Sequence, residues 1–285
     1  MKYLNLLFVF LLLFSTFLFA EDVCPEKLED DSKKEMAEKA MKNFYLYDCT
    51  EATIYDAVKE DSVCALAKRL YDYTCELAAN LKSYEKVLEG LEKRRLSMMP
   101  PEEKAEIVLD SAFLIGVPAS PVTFVTYICS RCPYCKQFTL KLIDRIEKGD
   151  MKGKVRMFVR PWPLKNHEGS KVGAAAMVAA AEMGKFRDFL KIMYNDYENY
   201  SVENLPVYAE KAGLSSNKFK KLMEADSIVE RVVRIKKEGY RNGLDQTPTF
   251  FINGRFYKGF LNYPSVTDAL LEEYDYLTGN KYITD

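Results

Sequence analysis

Three cysteines stand at three-residue spacing in Cys129-Ser130-Arg131-Cys132-Pro133-Tyr134-Cys135, with a proline directly after the second. That proline sets the local register. It lacks a backbone donor and is held at helical φ, so it suits the first position of a helix and breaks one deeper in. Pro133 therefore predicts a helix running to about Lys148, with Cys132 as its N-cap and Cys135 in its first turn. The preceding run, Val122–Ile128, is rich in β-branched and aromatic residues and reads as a buried strand. A strand thus feeds a helix that begins at a cysteine. A Cys132 thiolate there faces unpaired amides and the positive end of the helix dipole, which lowers its pKa. Cys135 is placed to close a disulfide with it and reopen it.

The surrounding pattern, from residue 102 onward, alternates strands and helices, the signature of an α/β domain. Strands are expected over 106–109, 122–128 and 154–160, then a run of helices from about 170 to 242. Strands over 249–252 and 255–258 follow, joined by Asn253-Gly254, a strong hairpin signal, and a helix over 265–277 closes the domain. Upstream, residues 21–96 read as helices, rich in Lys, Glu, Ala and Leu with no glycine before Gly90. One helix starts from Ser62 as N-cap and carries Val63, Leu66, Ala67, Leu70, Thr74, Leu77 and Leu81 as an apolar stripe. Another is capped by Ser83, and Pro100-Pro101 reads as a hinge. The division expected is a signal over 1–20, a helical cysteine-containing module over 21–99, and an α/β domain over 102–285 with a helical insert at about 168–242.

Cys64 and Cys75 share one helix, eleven residues and roughly 16 Å apart, beyond disulfide reach. Two pairings of the module's four cysteines remain. A helix over 53–60 folding back on the next would bring Cys49 to Cys75 and leave Cys24 for Cys64, stapling a module too small to hold itself together. Lys2 and the apolar run ending at Ala20 read as a secretory signal, with an uncleaved membrane anchor as the competing reading. Either places the rest outside the cytoplasm, periplasmic or otherwise extracytoplasmic, where disulfides persist. The balance of 41 basic against 42 acidic residues gives no reason to expect nucleic acid as a partner.

The block from Ser120 to Phe138, SPVTFVTYICSRCPYCKQF, resembles the active-site strand and helix of the DsbA-like thiol-disulfide oxidoreductases. RPWPLKNHEGSKVGAAAMVAAAEMGKF, from Arg160, is similar to that family's loop and insert opening, and GLDQTPTFFINGRFYKGF, from Gly243, to its cis-proline strand and hairpin. The resemblance covers 102–285. It implies a thioredoxin-like fold with an inserted helical subdomain, no cofactor, Cys132 as nucleophile and Cys135 as resolving thiol. It makes Pro248 the cis-proline facing the site and Thr247 the residue whose main chain would pair with an extended peptide. Three departures stand out. Cys129 replaces a residue usually polar or acidic, Ser130 stands where an aromatic is common, and Thr126 occupies the place of a buried proton-shuttling carboxylate. His167, the one histidine, reads as a surface or capping residue rather than a base.

The function expected is an exported thiol-disulfide oxidoreductase that donates disulfides to cysteine-containing exported proteins and is recycled by a membrane-bound redox partner. A disulfide reductase or isomerase and a cytochrome-maturation-type thiol chaperone are the alternatives. A metal or iron-sulfur role for Cys129, Cys132 and Cys135 is disfavoured because a fourth ligand is missing from the expected continuation. Four cysteines pair in the module and two form the site, so Cys129 is left over as a third redox thiol or a buried spectator.

Overall fold

The computed structural model describes residues 24, 27–59, 64–99 and 104–279. Residues 1–20, read as a signal, together with Ser62 and Pro100-Pro101, lie outside them. Five strands form one sheet in the order β1-β3-β2-β4-β5, where β1 is Leu114–Ile115, β2 Val122–Ile128, β3 Val155–Pro161, β4 Thr249–Ile252 and β5 Arg255–Phe256. β2 and β3 are parallel and the other pairs antiparallel. Every residue of β2 is buried, as expected of a central strand covered on both faces. The parallel pair is joined through helix α5, Pro133–Glu147, the usual crossover for such strands. Helices α6 (Ser170–Glu182), α7 (Phe186–Asn195), α8 (Leu205–Lys211), α9 (Ser216–Met223) and α10 (Asp226–Arg241) are inserted between β3 and β4, and α11 (Tyr263–Leu277) closes the chain. This is a thioredoxin-like α/β fold with a helical insertion, preceded by a small all-α module.

A buried cluster fastens the insert to the sheet. Glu238 of α10 pairs with Arg160 of β3 at 2.8 Å and accepts from the Tyr127 hydroxyl at 2.6 Å. Glu238 also corrects the sequence reading of 106–109, which is no strand. There the Val108 amide donates to Glu238, the Glu106 amide to the Asn242 side chain, and the Ala105 amide to the Gly254 carbonyl. Amides taken by α10 and the hairpin are not free for a ladder. The hairpin turn itself is as read, with Asn253 and Gly254 both at positive φ. β5 is shorter than expected because Lys258 N–H turns to the Ser97 hydroxyl of the helical module.

The module consists of α1 (Asp31–Asn43), α2 (Ile54–Ala57), α3 (Ala65–Asn80) and α4 (Tyr84–Met98) around a core including Met41, Ile54, Leu66, Leu70, Leu77, Val87 and Leu91. Its disulfides are Cys24–Cys75 and Cys49–Cys64, with Cα separations of 5.6 and 6.5 Å, which corrects the expected Cys49–Cys75 and Cys24–Cys64. The cause is local. α2 is a single turn rather than a helix over 53–60, and Tyr45 bridges Thr53, so Cys49 stays near Cys64, the N-cap of α3. Cys24 instead reaches the middle of α3, where its amide donates to the Tyr71 hydroxyl. Arg94 of α4 is fully buried and pairs with Glu272 and Asp268 of α11, while Arg69 of α3 bonds Asp268 and Asp275. The Tyr47 hydroxyl also donates to Glu272. Charged groups without water between them need partners, and these couple the module to the last helix.

Candidate active site

At the end of β2 the chain turns on a hydrogen bond from the Cys132 amide to the Cys129 carbonyl, 3.0 Å. α5 then begins at Pro133 with Cys132 as N-cap, its sulfur accepting from the Cys135 amide at 3.4 Å. Antiparallel pairing of β4 with β2 sets Thr249 beside Tyr127. The residues entering β4 are thereby brought to the cysteines. The Cys132 thiol donates to the Thr247 carbonyl at 3.4 Å, and the Thr247–Pro248 peptide is cis. Cys132, Cys135, Thr247 and Pro248 thus lie together where β2 ends and β4 begins, in the middle of the sheet. All three cysteines here are free thiols; Cys132 keeps 2% of its surface exposed, Cys129 and Cys135 none, while Tyr134 between them is 72% exposed.

The electrostatics separate the two helix-start thiols. Hydrogen bonding from the Cys135 thiol, then from the Cys135 amide, Thr247 and the Tyr134 amide, outweighs burial and lowers Cys132 to about 6. Burial, reinforced by the neighbouring Cys132, pushes Cys135 well above the ordinary thiol range. One sulfur is a stabilised thiolate at neutral pH and the other a protected thiol. Thr126, six residues before Cys132, is fully buried, and its hydroxyl has no hydrogen-bond partner among the described residues.

Three tyrosines hold the loop ahead of Cys132. Tyr194 donates to the Cys129 carbonyl (3.1 Å), Tyr197 to the Arg131 carbonyl (2.9 Å), and the Tyr200 hydroxyl meets that of Ser130 (3.3 Å). Arg131 also lies over the Tyr200 ring, 4.8 Å from its centroid. Sequence reasoning passed over these residues, although a tyrosine every third position from 194 to 200 was a visible regularity. α6 presses on the same loop: a Cβ on Gly173 would come within 2.2 Å of the Ser130 and Tyr200 hydroxyl oxygens, so only glycine fits there.

His167, read as a surface or capping residue, has its carbonyl accepting from the Ser170 amide at the start of α6, 3.1 Å. It is half-buried, with Nδ1 3.4 Å from Cys129 Sγ. Parallel pairing aligns Pro161 with Ile128, and the Trp162 amide donates to the Ile128 carbonyl, which carries the loop after β3 back over the end of β2. Among the described residues no group of three or more His, Cys, Asp and Glu side chains is arranged to hold a metal ion.

A family model described as Thioredoxin matches residues 110–272. The chain belongs to this thioredoxin family. Within the matched stretch, Cys132 and Cys135 form a Cys-x-x-Cys at the start of α5. Among curated proteins it is similar to the Na(+)/H(+) antiporter NhaA of Herminiimonas arsenicoxydans, 31% identical over 156 residues, 54% of this chain and 24% of the antiporter. A second relative, Na(+)/H(+) antiporter NhaA 3 of Salinispora tropica, is 27% identical over 160 residues, 56% of this chain and 24% of that protein. The chain spans about a quarter of the length of these relatives. No helix among the described residues is long and apolar enough to cross a membrane. Among solved structures, oxidised BdbD from Bacillus subtilis is similar in fold, with TM-score 0.51, 22% identity, 60% of this chain and 97% of that one. The catalytic domain of Proteus mirabilis ScsC has TM-score 0.50 and 17% identity, covering 58% of this chain and 90% of that one.

Proposed function

We propose that this thioredoxin-family chain is an exported disulfide donor working through Cys132 and Cys135. The observation that carries the reading is the contrast between the two thiols: Cys132 is held down at about 6 by its hydrogen bonds to Cys135 and Thr247, and buried Cys135 is pushed up. A stabilised thiolate favours the reduced site, and a site stable when reduced is a strong oxidant of other thiols. In the reaction, a substrate thiolate attacks Cys132 Sγ of the Cys132–Cys135 disulfide, and Cys135 leaves and takes a proton. A second substrate thiolate then attacks the substrate sulfur of the mixed disulfide and expels Cys132 as a thiolate. The substrate loses two electrons and the pair gains them.

Thr247, beside Cys132 and preceding Pro248, is the main-chain contact for an extended substrate segment in this reading. Substrates are cysteine-containing exported proteins, and a membrane-bound redox partner reoxidises the pair. The two bridges of the helical module support an oxidising, extracytoplasmic location, as does the apolar run over 3–20. The test is the reduction potential of the site equilibrated with glutathione. A value above about −180 mV is expected of a donor, and one below about −250 mV would make the chain a reductase instead.

A further inference from the structure

The residue left without a role is Cys129, and its surroundings differ from those of a thiol that merely fills space. The hydrogen bond from the Cys132 amide to the Cys129 carbonyl makes residues 129–132 a four-residue turn. Such a turn holds its end Cα atoms within about 7 Å, which overlaps the roughly 4.4–6.8 Å over which disulfides close. The Cys129 sulfur is buried, yet polar groups converge on it. His167 Nδ1 lies 3.4 Å away. Burial holds the thiol protonated at rest, while the amides of Leu164 and Arg131 favour its thiolate. The Lys236 ammonium, seated over the Trp162 ring and bonded to the Pro163 carbonyl, adds positive charge on the same side. A thiol packed as an inert hydrophobe needs neither an imidazole nor converging donors.

We infer that Cys129, with His167 as its proton acceptor, is a second resolving thiol for Cys132. This rests on the reading of Cys132 as the nucleophile. In a mixed disulfide between Cys132 and a substrate sulfur, the Cys129 thiol gives its proton to His167 Nδ1 and the resulting thiolate attacks Cys132 Sγ. The bond between the sulfurs of Cys129 and Cys132 forms, and the bond from Cys132 to the substrate breaks. The substrate leaves as a thiolate and is protonated from His167 or water. Over the two exchanges a substrate disulfide gains two electrons and the pair Cys129 and Cys132 loses them, with Cys135 left as a thiol. Attack of Cys135 on Cys132 Sγ then returns the oxidation to the Cys132–Cys135 pair and frees Cys129. The site holds two interconvertible disulfides rather than one.

The sequence supplies a clean assay. Trypsin cleaves after Arg131, between Cys129 and Cys132, and has no cleavage site between Cys132 and Cys135. A bridge from Cys129 to Cys132 therefore links two tryptic peptides, whereas Cys132–Cys135 stays within one. The full-length Cys135→Ala variant is treated with glutathione disulfide, and loss of glutathione from Cys132 is followed by mass spectrometry beside the double variant Cys129→Ser/Cys135→Ala. The single variant is expected to shed glutathione at least about ten-fold faster and to yield the linked peptides; adding His167→Gln should bring that release back toward the rate of the double variant. Equal lifetimes in the single and double variants, with no linked peptides, would overturn the role of Cys129 and leave Cys132 as nucleophile. A double variant that takes up no glutathione at Cys132 would overturn the nucleophile and this inference together. An unchanged rate with His167→Gln would remove the histidine from the step. Cys129→Ala in place of Cys129→Ser gives the same comparison if a buried hydroxyl unsettles the fold.

Discussion

In the helical module Cys24 closes on Cys75 and Cys49 on Cys64, across 51 and 15 residues of chain. At the end of the central strand β2 three cysteines within seven residues remain free. The two regions use the same side chain in a chain-length-dependent way. A bridge that closes a long loop removes much disorder from the unfolded state, about 4 and about 3 kcal/mol for loops of these lengths on a chain-entropy estimate. A bridge between residues three apart contributes about 2 kcal/mol on the same estimate, so it opens and closes with less effect on the fold. What the site gains in place of stability is a set of donors around its sulfurs. The Cys135 amide and thiol and Thr247 surround Cys132, so the thiolate is made stable without a bridge.

The contrast predicts opposite phenotypes for one kind of substitution. Cys132→Ser should lower turnover in an insulin-reduction assay by at least about 10³-fold, as removal of a nucleophile does, with the thermal midpoint of the reduced protein nearly unchanged below about pH 6, where Cys132 is a neutral thiol. Cys75→Ala should do the reverse, lowering stability by about 4 kcal/mol while Cys132 in the remaining folded protein reacts at its usual rate. Full turnover by Cys132→Ser would show that the nucleophile is another cysteine.

A second test asks whether the module is coupled to the catalytic domain through side chains rather than sulfur. Arg94 is completely buried between Glu272 and Asp268. Arg94→Ala strands Glu272, itself 3% exposed, and should cost about 3 kcal/mol, read as a fall in the urea midpoint. The Cys132 titration should stay in place. A shift of that titration would mean that the module reaches the site.

The features legible in the sequence are those settled within a turn or two of chain. Pro133 dictates where α5 starts, and with it the N-cap at Cys132. Asn253-Gly254 dictates its hairpin, and Ser83 caps α4 as read. The disulfide pairing was not legible because it depends on how short α2 is and on how α1 lies against α3. The strand expected over 106–109 failed for a similar reason: its amides are claimed by Glu238 and Asn242, more than 100 residues away. His167 fell between these cases, since its loop follows β3 in sequence but reaches Cys129 only through the pairing of β3 with β2.

The electrostatic half of the comparison has a pH signature with a definite sign. Cys132 is lowered from an ordinary value of 9.0 to about 6 in the folded, reduced chain. A depressed acid contributes stability that is fully present above its unfolded pKa and is lost as pH falls through its folded pKa. The reduced protein should therefore gain stability from about pH 6 to about pH 9, with a slope of at most about 1.4 kcal/mol per pH unit. The raised Cys135 works the other way, but only above pH 9.0, where the unfolded thiol ionises. Urea midpoints of reduced protein across this range, beside those of Cys132→Ser, check it. Parallel curves for the two proteins would mean that Cys132 is not a stabilised thiolate.

The smallest effect tests which donor matters beyond the helix start. The Thr247 hydroxyl is buried with no hydrogen-bond partner among the described residues, and from beside the two sulfurs it is one of the lesser influences that lower Cys132 and Cys135. Thr247→Val removes that donor at nearly constant volume and leaves the carbonyl that accepts from the Cys132 thiol. A hydrogen bond to a charged group contributes about 1.5 kcal/mol, equivalent to about one pKa unit, so the midpoint of thiolate absorbance at 240 nm should move up by about that amount. The apolar replacement leaves no unpaired polar atom of its own, so the reduced protein at low pH, where Cys132 is a thiol, should be no less stable than the parent. An unmoved midpoint would assign the thiolate to the Cys135 thiol and the amides of Cys135 and Tyr134, and the start of α5 would then be sufficient to make Cys132 differ from the four bridged cysteines.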